Sequence, residues 1–371
     1  MVEIHQSNHY EIHTRLCVGG SIKMKILILY CKDINLAKKW EIACSKKGLE
    51  YSSFDISAHN WLESIRIYNP DLILLKPPGD IEINKIMFDE RVYILSHILQ
   101  YKIFPTYNEN IIYENKKMLS YYLDALDIPH PKTYVFYNKK EALEYLSNSQ
   151  YPVVTKSSIG ASGTGVFICK SLKEAKKYIK RAFSKKGIPL IIGPNRVTGD
   201  ILKWFKKAIN NPNFARQRIA TYSTISKGRA KNIIIIQEYI QHNYEWRVAR
   251  IGESYFAHQK VKYKDKCSGT KGINYVNPPL ELLDFVRELC SKNNLYSVAI
   301  DIFEYNNSYI INEIQTIFGH VQDHILEVNG KSGRYIFKDN QWIFEEGMFN
   351  TNESYDLRLE VALDLYNKGL L

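Results

Sequence analysis

Met24–Tyr30 reads MKILILY, a short apolar run that opens a stretch in which strand-like and helix-like segments take turns. The pattern predicts a strand over 25–30, a helix near 34–47, a strand near 50–54, a helix within 58–68 and a strand over 71–76. Alternation of this kind constrains the fold strongly. Each crossover has to bring the chain back along the same sheet direction, which gives a small parallel α/β domain. That domain spans 24–106, and residues 1–23, with little sustained periodicity, form an N-terminal extension. Lys76-Pro77-Pro78-Gly79-Asp80 follows the third strand, where open α/β sheets expose ligand-binding loops, although Pro and Gly favour a plain turn without any ligand.

With 371 residues, 45% of them hydrophobic and 24% charged, the chain has room for two or three structural units, and low complexity is excluded. No apolar stretch approaches the roughly 20 residues of a membrane-spanning helix, and the opening lacks the order of a secretory signal, so a cytoplasmic location is expected. Cys17, Cys31, Cys44, Cys169, Cys267 and Cys290 are dispersed without a close pair and are read as reduced. Together with His5, His9, His13 and His59 they offer no zinc framework. The net charge of +11 suits nucleic acid, acidic lipid or an anionic small substrate alike.

Beyond the first domain, Asn115–Leu126 carries Met118, Leu119, Tyr122, Leu123 and Leu126 at helical spacing, and Pro129 and Pro131 stop it. Tyr134–Phe136 begins a second sheet, and the stripe Leu172, Ala175, Ile179, Ala182 and Phe183 covers it. Residues 196–231 hold nine Lys or Arg against one acid. Within them Ile201, Leu202, Trp204, Phe205, Ala208 and Ile209 fit the apolar side of a helix, with Lys203, Lys206 and Lys207 nearer the wet side. A solvated face, an anionic-substrate site and nucleic-acid binding stay open here. The last lacks support from any zinc-finger, RNA-binding or basic-zipper pattern.

Tyr151–Lys156 leads into Ser157-Ser158-Ile159-Gly160-Ala161-Ser162-Gly163-Thr164-Gly165 and then Val166-Phe167-Ile168, a strand, a Gly-rich loop and a strand. Small residues let backbone N–H groups approach phosphate oxygens, and Lys156 can neutralise their charge. Neither the P-loop nor the dinucleotide signature is present, and a ligand-free hairpin remains open on these residues alone. Ile233–Ile236 reads as a buried strand emerging at Gln237-Glu238-Tyr239-Ile240, an edge able to offer backbone groups and the Ile240 side chain to an adenine ring. A simple sheet-to-loop transition explains it equally well.

Leu295–Tyr305 and Tyr309–Gln315 form a hairpin around Asn306-Asn307-Ser308 in which Asp301 faces Glu313, with Gln315 on the same side. Two opposed carboxylates repel, so a divalent ion gives the arrangement a reason, and Mg2+ or Mn2+ suits such hard oxygen donors. Neutralisation by a Lys or Arg is the alternative.

In this order, these segments resemble the ATP-grasp superfamily, in particular ligases similar to ribosomal-protein glutamate ligase and bacterial glutathione synthetase. The likeness runs from about Asn115 to Gly319. It implies a Rossmann-like α/β domain followed by a two-lobed α+β ATP-grasp fold over 107–330, with a basic insertion near 196–231 and a C-terminal packing segment over 331–371. By resemblance, Lys116 (with Lys117 as second choice) and Lys156 bind ATP phosphates beneath a cover formed by Gly160, Gly163 and Gly165. Gln237, Glu238, Tyr239 and Ile240 form the adenine hinge, and Glu245 reaches the ribose. Arg247 matches the arginine of the family's D-I-R segment and clamps the transferring anion. Asp301, Glu313 and Gln315 match the metal ligands, with Gln315 in place of the usual Asn and Thr316–Gly319 lacking the common Pro-Gly. Lys260, placed just after a strand and ahead of the loop Ser268–Gly272, touches substrate or phosphate.

The implied activity is an ATP-dependent carboxylate–amine ligase working through an acyl phosphate. The competing readings are a small-molecule kinase and a nucleotide-responsive protein that binds an acidic partner. The implied partners are a carboxylate substrate and an amine acceptor, an acidic protein among the candidate substrates, and a homodimer fits the class. His320 and His324, four apart, are expected to share a helix face as packing or surface residues.

Overall fold

A computed structural model describes residues 24–79, 81–159, 165–185, 187–188, 201–216, 219, 231–263, 266–267, 272–320 and 322–371. The extension 1–23, Gly160, Gly163, half of the basic segment 196–231 and the loop 268–271 lie outside these residues.

Three sheets make up the described chain. The first holds β1 (Lys25–Tyr30), β2 (Glu50–Asp55), β3 (Leu72–Leu75) and β4 (Ile103–Phe104), all parallel, in the order β2-β1-β3-β4. Ile26–Leu29 and all of β3 are buried, as strands covered on both faces require. Helices Lys38–Lys46, Trp61–Tyr68 and Glu82–Tyr93 flank the sheet, so the alternation read from sequence is what the fold shows.

The second sheet holds β5 (Thr133–Phe136), β6 (Val153–Lys156), β7 (Phe167–Cys169) and β8 (Ile234–Glu238), antiparallel in the order β5-β8-β6-β7. Helix Leu172–Ala182 packs Ala175, Ile179 and Ala182 against Val153, Ile234 and Ile236. Its start is fixed twice over: Ser171 accepts from the Glu174 N–H, and the Glu174 carboxylate accepts from the Lys170 N–H.

The third sheet holds β9 (Tyr244–Ile251), β10 (Ser254–Tyr263), β11 (Lys266–Cys267), β12 (Ile273–Asn274), β13 (Ser297–Tyr305), β14 (Ser308–Gln315), β15 (Glu327–Val328), β16 (Lys331–Lys338) and β17 (Gln341–Glu346). Its path is β14-β13-β9-β10-β16-β15, with β11 and β12 on β10 and β17 on β16. Alternation splits this sheet chemically. Trp246, Val248, Tyr255, Ala257, Val298, Ile300, Ile302 and Ile314 face a core closed by helices Lys116–Ala125 and Leu280–Lys292. The opposite face is divided: Ala249, Ile251, Phe256 and Ala299 pack against Phe318, Ile325 and Leu326, and the rest of it carries polar groups.

The C-terminal segment divides between two units. Its hairpin β16–β17 extends the large sheet, whereas helix Tyr355–Asn367 sends Tyr355, Leu359, Ala362 and Leu365 into the core of the first sheet beside Ile26, Ile28 and Trp40. A second tie is Glu109, fully buried, which accepts from the N–H groups of Tyr296 and Ser297 at the start of β13, both at 2.7 Å, and from Thr106 at 2.9 Å. Burial pushes its carboxyl up to about 7 against the pull of those donors. The five described cysteines are free. No helix among the described residues is long and apolar enough to cross a membrane.

Candidate functional site

The polar face of the large sheet carries a straight cross-strand row. His258 on β10 stands opposite Arg247 on β9, Arg247 opposite Asp301 on β13, and Asp301 opposite Glu313 on β14. Lys260 faces Glu245 in the next row, and Gln315 faces Ala299 on the other side. The opposition of Asp301 and Glu313 is the one read from sequence, but it arises differently. The turn is two residues, Asn306 and Asn307, both left-handed (φ 50° and 56°), not the three residues expected. Ile302 pairs with Ile311 and Asp301 with Glu313, so Asn312 is an extra, bulged residue that restores the register the shorter turn had shifted.

Asp301 is the electrostatic centre. Arg247 donates through Nε to its Oδ1 at 2.8 Å and through Nη2 to Oδ2 at 3.0 Å, and Lys260 Nζ donates to Oδ2 at 2.6 Å. Burial alone would raise this carboxyl, but Arg247 and Lys260 overcome it and hold the group well below the usual carboxylate range. Arg247 Nη2 also donates to Gln315 Oε1 at 3.1 Å. Lys260 lies within β10, not beyond a strand as expected, and pairs with Glu245 as well. Glu245 further accepts from Asn312 Nδ2 at 2.9 Å, so both of its oxygens serve this network.

The phosphate-binding candidates converge from the other side. Asn115 caps helix Lys116–Ala125 by accepting from the Met118 N–H at 3.1 Å, and the Lys116 N–H donates to Ser158 O at 2.8 Å. This pins the helix start to the strand that holds Lys156. Lys116 Nζ lies 3.5 Å from Glu313 and 3.8 Å from Glu114; Lys117 is the more exposed of the two lysines. Lys156 Nζ reaches Asn312 Oδ1 at 3.4 Å. Burial presses its ammonium down to about 8, opposed by Glu313. Gly165 closes the loop at φ 78°, where an added Cβ would collide with Ser157 Oγ.

At the Gln237–Ile240 edge, Gln237 is buried and its Nε2 donates to Thr133 Oγ1 at 3.0 Å, while the Glu238 N–H donates to Lys132 O at 2.9 Å. Ile240 is buried against Phe303 and Ile310, and Tyr239 OH accepts from Lys262 Nζ at 2.7 Å.

Three residues join the site without having been singled out as site residues. Asn312 would point away under regular alternation, and only the bulge turns it in. Glu114, buried at φ 50°, accepts from Gln315 Nε2 at 3.5 Å, and its Oε2 has no hydrogen-bond partner among the described residues. Burial pushes it up to about 7, opposed by Lys116 and reinforced by Glu313. His258 donates from Nδ1 to Ile325 O at 2.9 Å, and burial together with His320 pulls its imidazole down to about 3. The expected helix under His320 and His324 is absent: the segment is irregular, His320 lies against His258 and His324 pairs with Glu327 at 3.0 Å.

Asp301, Glu313 and Gln315 offer oxygen donors only, which suits a hard cation. Three bonds occupy Asp301, leaving about one of its four lone-pair positions, on Oδ1. No cluster of three or more His, Cys, Asp or Glu among the described residues is arranged to hold a metal on its own. A cation here needs further oxygens from a ligand.

No family model matches the chain. The alpha-aminoadipate–LysW ligase LysX of Saccharolobus solfataricus is 23% identical over 271 residues, which is 68% of this chain and 82% of the relative. Among solved structures, D-alanine–D-alanine ligase from Bacillus anthracis aligns with a TM-score of 0.53 at 13% identity, covering 93% of this chain and 99% of that one. D-cycloserine synthetase DcsG gives 0.53 at 12% identity with the same coverage. The chain has the two-lobed ATP-grasp fold preceded by an α/β domain. These similarities are spread over proteins named for different substrates and do not narrow to ribosomal-protein glutamate ligase or glutathione synthetase.

Proposed function

We propose that the protein is an ATP-dependent ligase that joins a carboxylate to an amine through an acyl phosphate. The observation that carries this reading is the opposed pair Asp301 and Glu313, set between Arg247 and Lys260 on one side and Lys116 and Lys156 on the other, on this fold. Lys116 and Lys156 bind the ATP phosphates, and the Gln237–Ile240 edge receives the adenine. Asp301, Glu313 and Gln315 would hold Mg2+, or Mn2+, which neutralises phosphate charge. Arg247 orients the anion under transfer, and Lys260 holds the Asp301 and Glu245 carboxylates in place.

In the first step a substrate carboxylate oxygen attacks the γ-phosphorus and ADP leaves. In the second, an amine attacks the acyl carbon and phosphate leaves. Positioning and charge neutralisation are the main demands of phosphoryl transfer, and this constellation supplies both. A relative named as an alpha-aminoadipate–LysW ligase supports the carboxylate–amine reading, and an acidic protein is one candidate carrier of a substrate group.

Mass spectrometry of reactions with Mg-ATP and pooled carboxylates and amines tests this, with Glu313→Ala as control. The expected result is an amide product and ADP, both missing in the variant. A stable phosphoester formed without any amine would assign a kinase instead, and ADP release indifferent to every carboxylate would remove the ligase reading.

A further inference from the structure

Helix Ile201–Asn210 (ILKWFKKAIN) lies within a segment, 196–231, that has nine Lys or Arg and a single acid, Asp200. Leu202, Phe205 and Ile209, three and four residues apart, leave 81%, 55% and 75% of their surface exposed, and Ile219 leaves 67%. Lys206 and Lys207 are exposed on the same helix. Large apolar side chains gathered in this way mark a surface that something covers.

Charge and apolarity together select the occupant. Nucleic acid would satisfy the lysines but leave Leu202 and Ile209 in water, because phosphates offer nothing to aliphatic groups. A second copy would bring one chain of net charge +11, and this basic segment in particular, against another. An acidic protein would need a groove shaped to the helix. An anionic bilayer needs only what the helix already has: apolar side chains enter the headgroup–acyl boundary while lysines stay among the phosphates.

We propose that helix Ile201–Asn210 docks on an anionic lipid surface and holds the protein there as a peripheral protein. The inference is independent of the reaction proposed above.

Co-sedimentation of the full-length protein with large vesicles tests it, using phosphatidylcholine alone and phosphatidylcholine with about 30 mol% phosphatidylglycerol. Binding to the anionic vesicles is expected, with at least about fivefold less on the neutral ones. Leu202→Ser/Phe205→Ser/Ile209→Ser and, separately, Lys206→Glu/Lys207→Glu are each expected to lower binding by about tenfold. All of these positions are exposed, and unchanged thermal unfolding would show that both variants stay folded. Absence of binding to either vesicle overturns the proposal, and so does equal binding to both. Undiminished binding of the triple serine variant reduces the effect to ionic adsorption and also overturns it. A drop in oligomeric state on the serine substitutions, read by light scattering, would assign the face to a second copy instead.

Discussion

Arg247 grips both carboxylate oxygens of Asp301, at 2.8 and 3.0 Å, while Glu313, directly across the hairpin, is approached by Lys116 at 3.5 Å. The two acids of one cross-strand pair therefore differ in what their loss should do. Asp301→Ala strands two buried cations, Arg247 and Lys260, and is expected to cost about 3–5 kcal/mol of stability. Glu313→Ala gives up a longer and more exposed contact and should cost about 1 kcal/mol or less. Both should abolish ATP turnover. Urea unfolding without ligand measures the first difference and ADP release the second. Equal destabilisation by the two substitutions would contradict the division.

Lys156 gives a pH-dependent expectation. Its folded-state value near 8 lies below the ordinary lysine value of 10.5, so between these limits the folded protein binds fewer protons than the unfolded chain. Stability from this group is reduced while the lysine is charged and rises with pH across that window. Lys76, also pressed down to about 8 by burial and by Arg358, adds a contribution of the same sign. Lys156→Met should flatten the rise by up to about 1.4 kcal/mol per pH unit without lowering stability at pH 7. Urea midpoints from pH 7.5 to 10 test this, and an unchanged slope would refute it.

Asn312 connects the lobes: its Oδ1 accepts from Lys156 of the smaller sheet and its Nδ2 donates to Glu245 of the larger. Asn312→Ala should leave the hairpin folded but let Lys156 drift. The expected signature is a KM for ATP raised about five- to tenfold with kcat changed less. A fall in kcat at constant KM would place Asn312 in the chemical step instead.

Much of this architecture was legible because it follows from periodicity. The run Lys25–Tyr30 and the run Ile234–Ile236 are strands for the reason their composition suggests, and the Ala175–Ile179–Ala182 stripe packs as helical spacing requires. The pairing of Asp301 with Glu313 was legible too, although a shorter turn and a bulge had to compensate for it to hold. What stayed hidden depends on backbone irregularity or long-range burial. A bulge re-aims Asn312, a left-handed residue buries Glu114, and distant packing splits the C-terminal segment between two cores. None of these leaves a local pattern.

Arg358 tests that last feature. It is fully buried on the C-terminal helix, where it donates to Phe318 O at 2.8 Å, Glu353 O at 2.9 Å and Ser297 Oγ at 3.2 Å, and its guanidinium lies 4.3 Å from the Phe318 ring centroid. Burial lowers its pKa to about 10, and its bonded partners are neutral oxygens. One planar group thus ties the helix to the start of β13 and to the residues that follow Gln315. An ammonium cannot span three acceptors so placed, so Arg358→Lys keeps the buried charge while leaving acceptors unmet, at a cost of about 2–4 kcal/mol. Arg358→Met leaves the same acceptors unmet but removes the charge, and should be no worse than the lysine variant. Urea unfolding orders the three proteins, and a lysine variant as stable as the parent would show that charge, not the fork of donors, is what this position requires.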